Sequence, residues 1–327
     1  MEDLIHATGT VRTPPAHPRA KRGKADSANE PRALPFTGLA LFDGFSSAAP
    51  LASYVNPVPF EVHPMTTVQD FARFKAQRRR ISVVTAYDAW SARIVAGSQV
   101  DAILVGDSVA MVMHGHPTTI EATVELMALH TRAVARAGAG KFVIADMPFL
   151  SHRQGIPVAT AAVGTLVRSG AQAVKLEGVD GHEDVVRHVV GSGVPVMGHI
   201  GLTPQSVNGL GGFRVQGRSD ADATDLLRQA HMLEDLGCFS IVLECVPAEL
   251  AARITAALSI PTIGIGAGPD TDGQVLVLHD LWGVDQNRSP RFVRRYFDGD
   301  RILTEALDRY DADVKEARFP ALEESYS

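Results

Sequence analysis

Cysteine is scarce in this 327-residue chain, which carries only Cys238 and Cys245. Seven residues apart, they match neither the disulfide framework of a small secreted domain nor a Cys-x-x-Cys metal or redox pair, and a reducing cytoplasm is the expected compartment. A basic excess is also lacking, since 31 Lys and Arg stand against 37 Asp and Glu for a net charge of −6. Phosphate backbones demand the opposite balance, so no nucleic-acid partner is expected. No run of 18 apolar residues occurs, and the N-terminus lacks the charged-then-apolar order of a secretory signal, so neither a membrane partner nor export is indicated. The turn after the first apolar run reads Tyr87-Asp88-Ala89-Trp90, with no glycine and hence no Gly-x-Gly-x-x-Gly dinucleotide turn.

Nine of the 19 prolines fall in residues 1–65, a stretch with neither helical nor strand periodicity that is expected to be a disordered extension. Its six basic residues are matched by six acidic ones, which speaks against an organellar transit peptide. Met65 stands directly before the ordered pattern, so a start there is the other open reading.

From Ile81 onward, eight short apolar runs alternate with longer amphipathic or Ala-rich stretches. The runs are Ser82 to Tyr87, Ala102 to Gly106, Phe142 to Asp146, Ala173 to Glu177, Pro195 to Ile200, Phe239 to Glu244, Pro261 to Gly266 and Val275 to His279. Nearly unbroken Val, Ile, Leu and Ala is the signature of parallel strands covered on both faces. Eight strand–helix units predict an α/β fold, a closed (β/α)8 TIM barrel over residues 66–285, followed by a helical tail at 286–327 packed on it.

The polar exceptions sit at the carboxyl ends of these runs: Asp107, Asp146, Lys175, Glu177, His199, Glu244, His279 and Asp280. In a barrel those ends ring one mouth, where barrel active sites are built. A single acidic residue after a strand commonly caps the next helix, but five ionisable groups on four strand ends do not reduce to caps. Lys175 and Glu177 share one side of their strand and address one ligand. Four carboxylates brought together repel one another unless a cation intervenes. Oxygen donors without a placed cysteine favour Mg²⁺ (or Mn²⁺) over zinc. His199 and His279 read equally as site groups or as partners of loop carbonyls, and Gly264-Ile265-Gly266-Ala267-Gly268 equally as a ligand-approach loop or a tight turn. Cys245, Met111 and Met113 read as packing.

Val84-Thr85-Ala86-Tyr87-Asp88, Leu104-Val105-Gly106-Asp107-Ser108, Val174-Lys175-Leu176-Glu177-Gly178, Gly198-His199-Ile200-Gly201-Leu202-Thr203-Pro204-Gln205-Ser206, Val215-Gln216-Gly217-Arg218 and Leu243-Glu244-Cys245-Val246-Pro247 occur in order. With Ile263 to Gly268 and Thr271 to Gln274, this set resembles the 3-methyl-2-oxobutanoate (ketopantoate) hydroxymethyltransferase family over residues 66–285. The resemblance implies a TIM barrel that uses Mg²⁺ and the co-substrate 5,10-methylenetetrahydrofolate to convert 3-methyl-2-oxobutanoate into 2-dehydropantoate, on the route to pantothenate and coenzyme A. It places Mg²⁺ on Asp107 and Asp146 with Glu177 supporting its shell, and the 2-oxo acid on Asp107, Ser108, Asp146 and Lys175. Glu244 is the implied proton acceptor; His199, beside this implied set, is placed to position the substrate carboxylate or a water. Homo-oligomers, often decamers, are the implied assembly. The segment Gly115-His116-Pro117-Thr118-Thr119 departs from the family in carrying Pro where Asp is frequent. A Mg²⁺-dependent 2-oxo acid aldolase or lyase is the alternative, because metal-held enolates also serve carbon–carbon cleavage. A non-catalytic barrel is a third reading, one that the intact charged set argues against.

Overall fold

The apolar runs form eight parallel strands, β1 (Ile81–Thr85), β2 (Ala102–Val105), β3 (Phe142–Asp146), β4 (Ala173–Glu177), β5 (Val196–Gly201), β6 (Ser240–Glu244), β7 (Thr262–Ile265) and β8 (Gly273–Leu276). Each pairs with its sequence neighbour and β8 closes on β1, giving a closed barrel. The computed structural model describes residues 66–326 apart from residue 139 and residues 285–289, so the expectations for residues 1–65 lie outside the described residues. Strand alternation divides the buried side chains into two sets. Leu104, Ile144, Met197, Val242, Ile263 and Val275 belong to one apolar cluster that fills the barrel. Ile103, Val143, Val174, Ile241 and Leu243 belong to the other, beneath the helices. Those helices are Ala89–Ala96, Val124–Ala137, Ile156–Arg168, Glu183–Gly191, Asp220–Asp235 and Ala248–Ala257. The glycine-free turn after β1 is explained by Asp88, whose carboxylate accepts from the Trp90 and Ser91 amides at 2.9 Å and starts the first of these helices.

Three features depart from eight repeated strand–helix units. A helix over Val68–Ala76 precedes β1, with the Asp70 carboxylate accepting from the Thr67 amide at 2.7 Å. Its Phe71 is fully buried against Phe142 and Phe239, with ring centroids 5.7 and 5.2 Å away, and closes the amino-terminal end of the barrel. No helix lies between β7 and β8. β8 also begins earlier than expected: it spans Gly273–Leu276, and the Leu278 amide donates to Thr85 Oγ1, so a short helix over Leu278–Trp282 replaces the expected strand end. His279 and Asp280 therefore sit on that helix and do not end a strand.

After residue 289 the chain returns to the barrel. The Tyr296 amide donates to Leu281 O at 2.8 Å and the Asp300 amide to Gly283 O at 3.0 Å. The helix Gly299–Lys315 that follows displays Leu303, Leu307, Tyr310 and Val314 at helical spacing, all exposed.

Candidate active site

Strand register assembles the charged groups at the carboxyl end of the barrel. Asp146 on β3 lies beside Lys175 on β4, Glu177 beside His199 on β5, and Glu244 on β6 beside Gly201. Asp107 follows β2, and its backbone N–H donates to Asp146 Oδ2 at 3.0 Å. Lys175 Nζ stands 3.2 Å from Asp146 Oδ1, 3.9 Å from Glu177 Oε1 and 3.2 Å from His199 Nδ1. His199 spans the remaining gap, with Nδ1 3.3 Å from Glu177 Oε1 and Nε2 3.3 Å from Glu244 Oε2. Ser108 Oγ shares a 2.7 Å hydrogen bond with the buried Tyr87 hydroxyl. The six residues implied by the family resemblance, together with His199, are thus at one mouth. They line a cavity of about 290 Å³ whose walls include Leu104, Val242, Ile265, Phe213 and Phe292.

Burial sets the electrostatics of this cluster. Asp107 is pushed well above the usual carboxylate range, first by desolvation and then by the Asp146 and Glu177 charges. Asp146 is raised by desolvation despite Lys175. Burial acts upward on Glu177 too, but His199, Lys175 and the Gln205 amide outweigh it and hold its carboxyl low. Desolvation alone would discharge Lys175, whereas the three carboxylates keep it firmly protonated. His199 is pushed down by burial and by Lys175, yet its hydrogen bonds to Glu177 and Glu244 prevail and raise it to about 9. The repulsion from Asp146 and Glu177 that helps to raise Asp107 is the kind that a divalent cation would relieve.

The family model for ketopantoate hydroxymethyltransferase matches residues 65–322. The chain belongs to that family. The 3-methyl-2-oxobutanoate hydroxymethyltransferase of Bdellovibrio bacteriovorus is 55% identical over 263 residues, covering 80% of this chain and all of that protein. The enzyme of the same name from Legionella pneumophila subsp. pneumophila is 52% identical over 260 residues, 79% of this chain and 99% of its own. Among solved structures, phosphonopyruvate hydrolase in complex with oxalate and Mg²⁺ superposes with a TM-score of 0.53 at 12% identity, and 2,3-dimethylmalate lyase with 0.50 at 16%. Each likeness covers 80% of this chain and 93% of the other, and speaks for a shared barrel fold.

In this hydroxymethyltransferase family member, the fit of a cation is decided by its oxygens. Asp146 Oδ1 is buried with the Lys175 ammonium 3.2 Å away as its ion-pair partner and no hydrogen bond of full geometry, so it keeps lone-pair capacity for a further cation. Both Glu177 oxygens are engaged, one near His199 and Lys175 and the other accepting from the Gln205 amide at 2.9 Å. Asp107 and Asp146 therefore fit as direct donors to a hard divalent ion, which takes one or two carboxylates together with substrate and water, while Glu177 fits as support. Among the described residues no three His, Cys, Asp or Glu side chains converge as a preformed metal cage.

Gln205, on the turn Pro204–Ser206 after β5, was absent from the expected set although it contacts two of its carboxylates. Asp280 lines the cavity from its helix, and His279 instead packs its ring 5.6 Å from that of Tyr87. Met111, expected to be packing, lines the cavity, and Met113 is exposed. β6 ends at Glu244, so strand alternation does not reach Cys245, whose half-buried thiol is raised to about 11 by burial and then by Glu244. Gly264 and Ile265 end β7, and Gly266–Gly268 lead out of it beside the chain's own Phe292, where a Cβ on Gly266 would come within 2.8 Å of that ring; Gly266 and Gly268 also border a second cavity, away from the charged cluster.

Proposed function

We propose that the protein transfers a hydroxymethyl group from 5,10-methylenetetrahydrofolate to 3-methyl-2-oxobutanoate, giving 2-dehydropantoate for pantothenate and coenzyme A synthesis, with Mg²⁺ held by Asp107 and Asp146 and supported by Glu177. The observation that carries this reading is the seating of Glu244 at the cavity, across His199 from the Lys175–Asp146–Glu177 cluster. A bound divalent cation supplies Lewis-acid stabilisation of the negative charge that develops on a keto oxygen. The chain's own residues do the rest. Lys175 adds fixed positive charge beside Asp146, in a site where burial strengthens every such interaction. Ser108, held by Tyr87, faces the substrate carboxylate together with His199. Glu244 removes the C3 proton, leaving a carbon nucleophile that bonds to the methylene carbon of the folate; one water supplies the hydroxyl oxygen as the carbon–nitrogen bonds break and tetrahydrofolate leaves. The apolar wall formed by Val242, Ile265, Phe213 and Phe292 limits competing water.

Residues 66–285 supply every charged group of the site in this proposal, with Phe292 beyond them completing its apolar wall, and the exposed apolar face of Gly299–Lys315 supports assembly into a homo-oligomer. The test uses co-substrate carrying ¹³C in its methylene group. Labelled 2-dehydropantoate, formed only when Mg²⁺ and the folate are both present, is expected. Cleavage of a longer 2-oxo acid without any folate requirement would replace this reading with the aldolase.

A further inference from the structure

We propose that Gln205 is a positioning residue that sets the oxygen pattern of the cation site; this rests on the reading that Asp107, Asp146 and Glu177 serve a divalent ion. One residue there ties together the ends of three strands. Its side-chain Nε2 donates to Asp107 Oδ2 at 2.8 Å and to Met147 O at 2.9 Å, and its backbone N–H donates to Glu177 Oε2 at 2.9 Å. Asp107 follows β2, Met147 follows β3 and Glu177 ends β4. Both partners of the amide nitrogen are acceptors, so the orientation of the amide follows from chemistry. Gln205 is buried, at 5% exposure, which strengthens these bonds and makes their loss costly.

Occupying Oδ2 of Asp107 and Oε2 of Glu177 decides which oxygen of each carboxylate is left for other partners. Oδ1 of Asp107 remains for a ligand, and Oε1 of Glu177 remains for His199, 3.3 Å away. The residue type matters. Glu at this position would add a like charge to the cluster, and Lys would neutralise a carboxylate that a cation needs, whereas an amide donates twice and leaves the net charge unchanged. Pro204 opens the turn and fixes the backbone that aims the Gln205 amide.

The test is Mn²⁺ binding followed by electron paramagnetic resonance in the full-length wild type, Gln205→Met and Gln205→Asn, with folding checked by circular dichroism. Gln205→Met removes both side-chain donors at similar volume, and its Kd for Mn²⁺ is expected to rise roughly 10- to 100-fold, with an altered bound-ion spectrum. Gln205→Asn keeps the amide one methylene short of its partners, and a loss of about tenfold is expected. If the methionine variant does not fold, the asparagine variant carries the test. A folded variant with a lowered melting temperature but wild-type Mn²⁺ affinity and spectrum overturns the proposal by reducing Gln205 to a structural role. Failure of the wild type itself to bind Mn²⁺ instead overturns the metal reading beneath it.

Discussion

Replacing Lys175 by Met removes the charge that makes a buried acidic cluster tolerable. Lys175 Nζ is 3.2 Å from Asp146 Oδ1 and 3.9 Å from Glu177 Oε1, and all three side chains are at most 5% exposed. At an effective dielectric constant near 20, the nearer contact alone corresponds to roughly 5 kcal/mol of Coulomb attraction. Carboxylates that take up protons in the variant limit the damage, so the expected loss is about 3–5 kcal/mol, the range for breaking a buried pair. Urea unfolding in the presence of EDTA, followed by circular dichroism and tryptophan fluorescence, measures it as a midpoint shift at constant slope. Saturating Mg²⁺ is expected to return part of the loss, because a ligand at 100 times its Kd stabilises by about 2.7 kcal/mol. Removing Asp146 as well, by Asp146→Asn, is expected to cost less than Lys175→Met by itself, since the stranded charge disappears. A loss below about 1 kcal/mol, typical of exposed ion pairs, would refute the claim that Lys175 compensates the cluster.

Gly201 is paired with Glu244 and has φ +94°, and a Cβ there would collide with the Glu244 carbonyl oxygen and approach Val246 Cγ2 to 2.7 Å. Gly201→Ala is expected to lower kcat about 100-fold by displacing Glu244, with far-ultraviolet circular dichroism retained; wild-type turnover would contradict this. Phe71→Ala opens the plugged end of the barrel and is expected to cost about 3–5 kcal/mol in urea unfolding, against near-zero loss if the helix Val68–Ala76 were peripheral. His152 is pushed down to about 3 by burial, then by His182 and Arg153. Its folded pKa lies below the unfolded value of 6.5, so the unfolded chain binds the extra proton and stability falls as pH drops through 6.5 toward 3. In His152→Asn the slope of unfolding free energy against pH in that window is expected to flatten by up to about 1.4 kcal/mol per pH unit, and an unchanged slope would show that His152 is not the group responsible.

The parts of the fold legible in the sequence are those governed by burial on both faces. Ala173–Glu177 reads as a strand because Val174 and Leu176 must meet helices while Ala173 enters the barrel, and the charges that break its pattern, Lys175 and Glu177, announce the mouth. The same logic reaches Asp146 and Glu244. It fails at β8, where Gly273 and the exposed Gln274 open the strand without an apolar run and shift its apparent position toward His279. It also missed the helix Val68–Ala76, whose two buried aromatics, Phe71 and Phe74, give too short a pattern to stand out beside a proline-rich stretch. Gln205 was invisible for a different reason. A neutral side chain on a turn carries no periodicity, and only its contacts with Asp107 and Glu177 reveal what it does.

The central claim is that Glu244 takes the C3 proton of 3-methyl-2-oxobutanoate at a site completed by a divalent cation. Proton NMR in D₂O reads that step directly, as loss of the C3 proton signal in the absence of folate. The account predicts Mg²⁺-dependent exchange by the wild type and a rate at least about 100-fold lower in Glu244→Gln, with binding of the oxo acid and the cation retained. Exchange by Glu244→Gln at the wild-type rate, or equal exchange in EDTA, would contradict it.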